Sequence, residues 1–377
     1  MLDPLLKSLE RRGYYVQAFA DDIVMVFDGT TALEVQGQAN VALEHVREWG
    51  VENKLKFAPH KTSAMVITRK LKFDTPLLHM GGIDIGMSKE VKLLGVTIDE
   101  KLTYNTHVAN ICRKAIGIYK QLARAAKASW GLHPEVVRTI YVAVIEPIVL
   151  YAASVWGPAA EKISVQKQLS TMQRGFAQKM CRAYRTVSLN SALVLTGVLP
   201  LDLRVREAAS LYRIKKGAAV PGLGDREIER PTPAMEIREE TVKKWQQRYE
   251  SSSTGSATKV FFPTVMAARK ILKGMALSPT HVQILTGHGG FGAYLHRFHL
   301  KDSPSCVCDP NCEETTWQHL LQDCPRFSST RNDHLTITND PEPYELSRVL
   351  LSPEATDTLH NHIYQIVRQL KRFNTPD

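Results

Sequence analysis

Two adjacent carboxylates stand between two apolar runs near the start of the chain. Asp21 and Asp22 follow the run YYVQAFA and precede the run IVMVF. Alternation before the pair and apolar residues after it predict a strand, a tight turn and a second strand. Such a hairpin tip would hold both carboxylates at the rim of a sheet, where they could clamp the divalent metals that nucleotidyl transfer requires. Because Asp is also a favoured turn residue, a solvated surface turn is the alternative interpretation.

A second group of residues with metal-binding chemistry lies near the C-terminus. Cys306, Cys308, Cys312, His319 and Cys324 offer five ligands for a tetrahedral zinc ion, which needs four. The spacing from Cys308 to Cys312 and that from His319 to Cys324 both suit a pair of ligands, and free reduced thiols are the alternative. Spacing alone leaves open whether Cys306 or Cys312 completes the set. A closed four-ligand site would be structural rather than catalytic.

The segment 107–128 has a helical pattern in which apolar and basic side chains fall on different faces. At about 100° per residue, one face carries Val108, Ile111, Ala115, Tyr119, Leu122 and Ala126. Another face, within an arc of roughly 60°, carries Arg113, Lys120, Arg124 and Lys127. One side of the next long helix is predicted to carry Lys167, Arg174 and Arg185. Such stripes could follow the phosphates of a nucleic acid without reading its sequence, and an ordinary solvated helix face is the alternative.

The overall composition limits the classes of protein that these residues could serve. Of 377 residues, 44% are hydrophobic and 23% are charged, which excludes wholesale disorder, collagen-like repeats and disulfide scaffolds. The net charge of +10 favours a polyanionic partner. Four of the six cysteines fall between 306 and 324, which indicates an intracellular protein with one metal cluster rather than a disulfide network.

The sequence gives no indication of a membrane partner. Residues 1–7 lack the apolar core of a signal peptide. The most apolar stretch, 139–157, has Glu146 and Pro147 at its centre, where a charge and a helix breaker would be costly in a bilayer. We therefore interpret this stretch as buried core.

The elements that must position these residues change along the chain. The first hundred residues predict strands around the acidic pair, at 63–68 and at 91–98, with an amphipathic helix at 31–50. From about 105 to 216 the pattern is mostly helical and is interrupted by prolines. Linker-like composition follows at 217–235, flexible composition at 251–258, and a helical pattern at 354–373.

Several of these segments, taken in order, resemble the reverse transcriptases of type-1 and jockey-like non-LTR retrotransposons. FADD between two apolar strands is similar to the catalytic C motif, and WGVENKLKFAPHKTSAMVIT at 49–68 is similar to the D motif that follows it. LLGVTIDEKLTYNTHV at 93–108 resembles the segment that ends the palm, and residues 173–203 resemble the region after the palm. LTGHGGFGAYLHRF at 285–298 resembles the stretch that precedes a C-terminal Cys/His knuckle in these elements.

The resemblance implies a role for particular residues. Asp21 and Asp22 would ligate catalytic Mg²⁺, and Lys61 would be the D-motif lysine, placed to donate a proton to the pyrophosphate leaving group. The basic stripe would lie in the thumb, which grips the template–primer duplex. The zinc ligands would be Cys306, Cys308, His319 and Cys324, with Cys312 spare. The knuckle would bind RNA or DNA, with candidate contacts at His288, Arg297 and Arg326.

We therefore expect an α+β chain that is divided into five regions. These are a partial polymerase palm (a β-hairpin plus helix) at 1–104, a mostly α-helical thumb at 105–216, a linker or connection region at 217–280, a small zinc-knuckle-like region at 281–330 and a C-terminal tail with a helix at 331–377. The resemblance implies the C-terminal portion of an RNA-directed DNA polymerase, with an RNA template and a DNA primer or target as partners and the nucleus as compartment.

The family's polymerases also carry parts that are expected upstream of this point. These are the fingers, a palm strand with another metal-binding Asp, a glycine-rich substrate-positioning motif and an endonuclease domain. We therefore expect the isolated chain to be inactive. The alternative is a non-catalytic protein that grips nucleic acid with its basic thumb and zinc knuckle.

Overall fold

The computed structural model describes residues 2–125, 132–217, 232–273, 277–330 and 361–370. It divides the chain into two units, Met1–His107 and Val108–Asp377. Strands occur in the first unit and helices dominate the second, so the predicted α+β class is confirmed. The boundary lies three residues from the end of the palm region that the sequence predicts at 104.

The first unit begins with a helix, a hairpin and a long helix. These are α1 (Asp3–Arg11), β1 (Tyr15–Phe19), β2 (Asp22–Val26) and α2 (Ala32–Glu52). Helix α2 starts where the Thr31 side chain accepts a hydrogen bond from the backbone N–H of Glu34, an N-cap that satisfies one of the free donors of the first turn. The predicted helix at 31–50 is thus confirmed.

The core of this unit lies between the two helices and one face of the hairpin. Leu5 and Leu9 of α1 pack with Val16 of β1, and Leu43 and Val46 of α2 complete the cluster. Burying each of these side chains contributes about 1.5–3 kcal/mol relative to leaving it in water. Because alternate residues of a strand face opposite sides, the other face of the hairpin is largely exposed, with Val24 half-buried.

Short strands complete the first unit. A 3₁₀ turn (Pro59–Lys61) is followed by β3 (Ser63–Ala64), β4 (His79–Met80), β5 (Ile83–Asp84), β6 (Gly86–Met87), β7 (Glu90–Leu93) and β8 (Val96–Asp99). Strands β3 and β6 pair in parallel, whereas β4–β5 and β7–β8 pair antiparallel.

Two strand predictions differ from the structure. The single strand predicted at 91–98 is wrong, because Leu94 and Gly95 form a two-residue turn between β7 and β8. Both residues have positive φ (45° and 85°), as a tight hairpin turn of the primed type demands. The strand predicted at 63–68 is confined to Ser63–Ala64.

The second unit is built from helices. Its principal helices are α3 (Asn105–Ala125, which begins just before the unit boundary), α4 (Pro134–Ile140), α5 (Glu146–Leu150), α6 (Ala153–Trp156), α7 (Ile163–Met180), α8 (Leu189–Thr196) and α9 (Leu201–Lys215). A π-helical turn (Tyr141–Ile145) joins α4 to α5, and a 3₁₀ helix (Gly157–Glu161) follows α6. Later helices are α10 (Pro233–Ser251), α11 (Ser256–Phe261), α12 (Val265–Ile271), α13 (Pro279–Thr286), α14 (Gly292–Arg297) and α15 (Trp317–Gln322). A 3₁₀ turn (Pro325–Phe327) follows α15, and residues 361–370 are helical.

Helix α7 lies at the centre of this core. Its Phe176 is fully buried and contacts Tyr119 of α3 edge-to-face, with ring centroids 5.1 Å apart. Gly175 allows this close approach, since a Cβ there would lie 2.7 Å from the Tyr119 ring. The apolar stretch 139–157 is only partly core: Tyr141, Ile145, Val149 and Trp156 are buried, whereas Val142, Val144, Tyr151 and Val155 are exposed.

No described helix is by itself both long and apolar enough to cross a membrane. Helices Pro134–Leu150 and Ala153–Glu161, which meet at a 55° bend, reach that length and composition only as a pair.

The region assigned to a linker or connection is folded over much of its length. Residues 233–271 form helices α10, α11 and α12, and α10 packs against α9. The linker-like composition at 217–235 is thus followed by three helices within the region predicted to be a linker or connection. Residues 218–231, and the parts of the predicted 354–373 helix outside 361–370, lie outside the described residues.

Candidate functional site

The acidic pair lies at the tip of a paired hairpin. Strands β1 and β2 align antiparallel, with Phe19 opposite Asp22, so Ala20 and Asp21 form the turn. Ala20 has a φ of +55°, a conformation that non-glycine residues rarely adopt and that concentrates at functional sites. Asp21 and Asp22 are both exposed. The predicted strand–turn–strand is confirmed, and it presents two carboxylates to solvent at one rim.

The chemistry of this pair suits a hard divalent cation. Mg²⁺ prefers oxygen ligands, keeps several of its waters and needs one or two carboxylates from a protein. Within the described residues, Asp21 and Asp22 do not belong to a cluster of three potential ligands. The donor type therefore fits Mg²⁺, and water or a substrate would have to complete the coordination.

Lys61 lies at the end of the 3₁₀ turn Pro59–Lys61 and is exposed. Its backbone N–H donates to the carbonyl oxygen of Ala58 at 3.0 Å. Among the described contacts, its ammonium group makes no ion pair with Asp21 or Asp22. The exposed ammonium group of Lys61 could therefore bind an anionic ligand.

Three of the five predicted zinc ligands converge in the second unit. Ligand atoms of Cys306, His319 and Cys324 all lie within 4.8 Å of one another. Helix α15 supplies His319, and Cys324 follows its end, where its backbone N–H donates to the His319 carbonyl at 2.7 Å. Cys306 reaches them from a preceding loop, with its sulfur 3.9 Å from that of Cys324.

Distances and burial in this cluster match a metal site. Zinc bound tetrahedrally at Zn–S distances of about 2.3 Å places two sulfurs about 3.8 Å apart, close to the separation of Cys306 and Cys324. The Nε2 atom of His319 is buried and has no hydrogen-bond partner among the described residues. Burial, followed by the nearby thiols of Cys306 and Cys308, raises the pKa of Cys324 to about 11. A bound cation would give the His319 Nε2 atom a partner and would stabilise the thiolate form of Cys324.

The other two cysteines have different surroundings. The Cys308 sulfur is 3.8 Å from Nη1 of Arg326, while the Cys312 sulfur is directed at the carbonyl oxygen of Glu314 at 3.3 Å. Cys308 is near enough to affect Cys324 electrostatically. Cys312 is in turn near enough to Cys306 for the two thiols to interact electrostatically, so both cysteines lie beside the three converging ligands.

The basic stripe of α3 is exposed as far as the structure describes it. Arg113, Lys120 and Arg124 are exposed, whereas Lys127 lies outside the described residues. The opposite apolar face is buried, beginning with Val108 and including Ile111 and Ala115, as its periodicity predicts. The Arg113 guanidinium donates to Asn110 Oδ1 at 2.9 Å.

The second set of cations is not a single helix stripe. Lys167 and Arg174 are exposed on α7, but Arg185 lies in the loop beyond the helix. Its predicted helical position is wrong because α7 ends at Met180 and Arg182 adopts a positive φ of 56°. One terminal nitrogen of Arg174 donates to the carbonyls of Arg185 and Val187, at 3.1 and 3.0 Å, and holds this loop.

The first unit matches a protein-family model almost from end to end. Residues 1–98 match the family described as "Reverse transcriptase (RNA-dependent DNA polymerase)". The chain is 30% identical over 370 residues to the "Putative 115 kDa protein in type-1 retrotransposable element R1DM" of Drosophila melanogaster. It is 28% identical over 388 residues to the "Retrovirus-related Pol polyprotein from type-1 retrotransposable element R1 4" of Nasonia vitripennis. The chain is therefore similar to R1-type non-LTR retrotransposon Pol polyproteins over most of its length.

The similarity to these Pol polyproteins covers nearly the whole chain. Both alignments include 95% of it, but the chain spans 36% of the Drosophila relative and 97% of the Nasonia one. A shorter match, 27% identical over 148 residues, is to the "RNA-directed DNA polymerase from mobile element jockey" of Drosophila funebris, and it covers 38% of this chain and 16% of that protein. No solved structure matches significantly. The predicted resemblance to R1-type and jockey-type elements is confirmed.

The structure also brings together residues that the sequence did not connect. Thr186 contacts both His288 and Tyr294, more than 100 residues away. Of these three, the sequence marks only His288 as a candidate contact. The motif at 285–298 could have drawn attention to Tyr294, but no local signal marks Thr186 as its partner.

Proposed function

We propose that this chain forms part of an R1-type RNA-directed DNA polymerase. The proposal is supported by one observation above all: Asp21 and Asp22 occupy the tip of a paired hairpin inside the segment that matches the reverse-transcriptase family. Bound Mg²⁺, which reverse transcriptases generally use, would stabilise the attacking and leaving oxygens of nucleotidyl transfer. Asp21 and Asp22 are the residues that would hold it.

Lys61 would act on the leaving group. Its exposed ammonium belongs to the same family segment, and a cation beside a departing phosphate stabilises the charge that develops there. Proton donation to the pyrophosphate would add to this effect but is not needed for it. Replacing Lys61 with Arg would keep the charge and weaken proton transfer, because guanidinium does not deprotonate in proteins.

Primer extension on an RNA template with Mg²⁺ tests the proposal. The chain, supplied with the remainder of a Pol polyprotein, is compared with its Asp21→Asn/Asp22→Asn variant, and with Asp84→Asn as a control that removes an exposed carboxylate from another hairpin. Templated synthesis that disappears in the double variant and survives in the control would support the assignment. Synthesis that survives in the double variant would overturn it. Any templated synthesis by the chain alone would contradict the expectation that it is inactive in isolation.

The basic face of α3 would bind the template–primer duplex. Arg113, Lys120 and Arg124 are exposed on one helix and could each neutralise a phosphate. Changing all three to Ala should weaken duplex binding whatever the sequence. The slope of the logarithm of the binding constant against the logarithm of salt concentration should become shallower by about 0.9 for each phosphate that is no longer neutralised. A matched triple variant of exposed lysines elsewhere, Lys215, Lys216 and Lys243 to Ala, should change the slope much less.

We also propose that Zn²⁺ occupies the Cys/His cluster. Cys306, His319 and Cys324 supply three converging ligands, and the family resemblance implies Cys308 as the fourth. Zinc held by four protein ligands would be structural, tying α15 to the loop that precedes it.

A non-catalytic nucleic-acid-binding role is the second candidate function. Its support is that the basic helix and the Cys/His cluster lie outside residues 1–98. The two functions give different results in the same pair of assays. Salt-dependent binding with no Asp-dependent synthesis, even when the remainder of a Pol polyprotein is supplied, would favour the binding role.

A further inference from the structure

A hydrogen-bonded network joins the loop after α7 to the segment around α14. The Thr186 hydroxyl lies 3.0 Å from Nδ1 of His288 and 2.8 Å from the hydroxyl of Tyr294. The Tyr294 ring contacts two others, with its centroid 5.0 Å from that of His288 and 4.9 Å from that of Phe298. Three ring systems are thus fixed side by side by contacts between segments about 100 residues apart.

Two cationic side chains act on this network. Burial lowers the pKa of His288 to about 4, and the guanidinium groups of Arg297 and Arg174 act in the same direction. His288 is therefore neutral at neutral pH, and both charges that act on it are cationic. Such a position attracts an anion. Arg297 is exposed and makes no ion pair among the described residues, so its guanidinium can bind a phosphate.

Two of the aromatic side chains remain accessible. Tyr184 is 41% exposed and Phe298 is 42% exposed, although each belongs to a segment that the network fixes. Tyr184 lies close enough to Tyr294 for the two hydroxyls to interact electrostatically. Holding the two segments together requires only the buried contacts. It does not explain why aromatic rings are exposed beside cationic side chains. Every nucleobase has a π face that can stack on such rings.

We propose that Tyr184, Tyr294, Phe298 and Arg297 form a binding site for single-stranded nucleic acid. Bases stack on the exposed rings, and Arg297, with the remaining N–H groups of Arg174, holds the phosphates. Because stacking and phosphate contacts do not read base edges, the site tolerates many sequences. The inference rests on the proposed nucleic-acid-binding function, and it adds a site outside both the family segment and the basic face of α3.

Fluorescence anisotropy on the full chain tests this site. The probes are fluorescein-labelled oligo(dT) and oligo(rU) of about 20 nucleotides and a DNA duplex of the same length. The Arg297→Gln/Phe298→Ala variant should lose at least about fivefold in affinity for both single strands. Its salt slope should fall by about 0.7, because Arg297 no longer neutralises a phosphate. Duplex affinity should change by less than about twofold, because the duplex is held elsewhere.

The matched control is Tyr212→Ala/Lys215→Gln, which removes an exposed aromatic ring and a cation from another surface of the same unit. It should bind all three probes like the wild type. If the test variant does not fold, Phe298→Leu replaces it, since this change keeps an apolar side chain and removes the π face.

Wild-type affinity of a folded test variant for both single strands would overturn the site. If the wild type binds the duplex but neither single strand, the site is overturned while the proposed function stands. If the wild type binds none of the probes, both fail. An affinity decrease confined to oligo(rU) or to oligo(dT) would support the site and identify its ligand as RNA or DNA.

Discussion

Arg248 of α10 donates two hydrogen bonds to the carboxylate of Asp202 in α9, at 2.8 and 2.7 Å. The Asp202 side chain is only 1% exposed, so the pair is shielded from water on the acidic side. The hydrogen bonds to Asp202 raise the pKa of Arg248 despite its partial burial. Parallel hydrogen bonds of this kind fix orientation as well as distance. This contact therefore attaches α10, in the region predicted to be a linker or connection, to the helical core.

Replacing Arg248 with Ala should destabilise the second unit strongly. The change leaves the Asp202 carboxylate buried without a counter-charge, which typically costs about 3–5 kcal/mol. Urea unfolding followed by circular dichroism measures the decrease in stability. The control is Lys244→Ala on the same helix, which breaks an exposed pair with Glu240 and should cost less than about 1 kcal/mol. Equal effects of the two changes would contradict the role of the buried pair.

A second prediction concerns Asp99, at the end of β8. Its carboxylate accepts hydrogen bonds from the backbone N–H groups of Lys101, Thr103 and Tyr104. These bonds hold a turn in which Leu102 and Tyr104 have positive φ, of 52° and 59°. Asp99→Asn should cost about 1–2 kcal/mol, since the amide accepts fewer hydrogen bonds. Asp84→Asn, at an exposed position, is the control.

The contribution of Asp99 should also depend on pH. Burial raises its pKa, but the backbone hydrogen bonds from Thr103 and Tyr104 outweigh burial and leave the pKa below its ordinary value. A carboxyl whose pKa is lower in the folded than in the unfolded state stabilises the fold above its unfolded pKa of about 3.9, and that stability is lost as pH falls through the folded value. The stability gap between wild type and Asp99→Asn should therefore close on acidification. A gap that is constant from about pH 7 to pH 2 would contradict this.

Local sequence patterns correctly predicted the strands and helices whose alternation or helical periodicity lies within the element itself. The hairpin around Asp21 and Asp22 and the apolar face of α3 follow from alternation and helical periodicity, which act within a few residues. The same reasoning wrongly predicted one strand at 91–98, because Leu94 and Gly95 turn the chain inside a mainly apolar stretch.

Contacts between distant residues could not be read from such patterns. Thr186 and Tyr294 are 108 positions apart, and Asp202 and Arg248 are 46 apart. Their pairing depends on how the helices pack, which no local spacing encodes. For the same reason, the spacing of the cysteines could not show that Cys306 and Cys324 lie together, with their sulfurs 3.9 Å apart.

A third prediction concerns Gln173, which is buried in α7. Its amide nitrogen donates to the Tyr141 hydroxyl at 2.9 Å and to the Leu199 carbonyl at 2.7 Å, and its oxygen accepts from the Leu201 N–H at 3.0 Å. Gln173→Leu would leave these buried groups without their partner, at about 1–3 kcal/mol each. Thermal unfolding should show a large decrease in stability. Tyr141→Phe, which breaks only one of the three bonds, should cost about 1 kcal/mol, and the reverse ranking would contradict the network.

The last prediction concerns metal content. Wild-type protein should contain one equivalent of zinc by elemental analysis, and His319→Ala or Cys324→Ser should lose it, because each removes one of the converging ligands. Cys312→Ser should retain it, since the Cys312 sulfur is directed at the Glu314 carbonyl instead. Chelation should lower the melting temperature of the wild type and of Cys312→Ser but not that of Cys324→Ser, because binding energy at a structural site stabilises the fold. Substoichiometric zinc in folded wild type would refute the site, and zinc loss in Cys312→Ser would instead place Cys312 among its ligands.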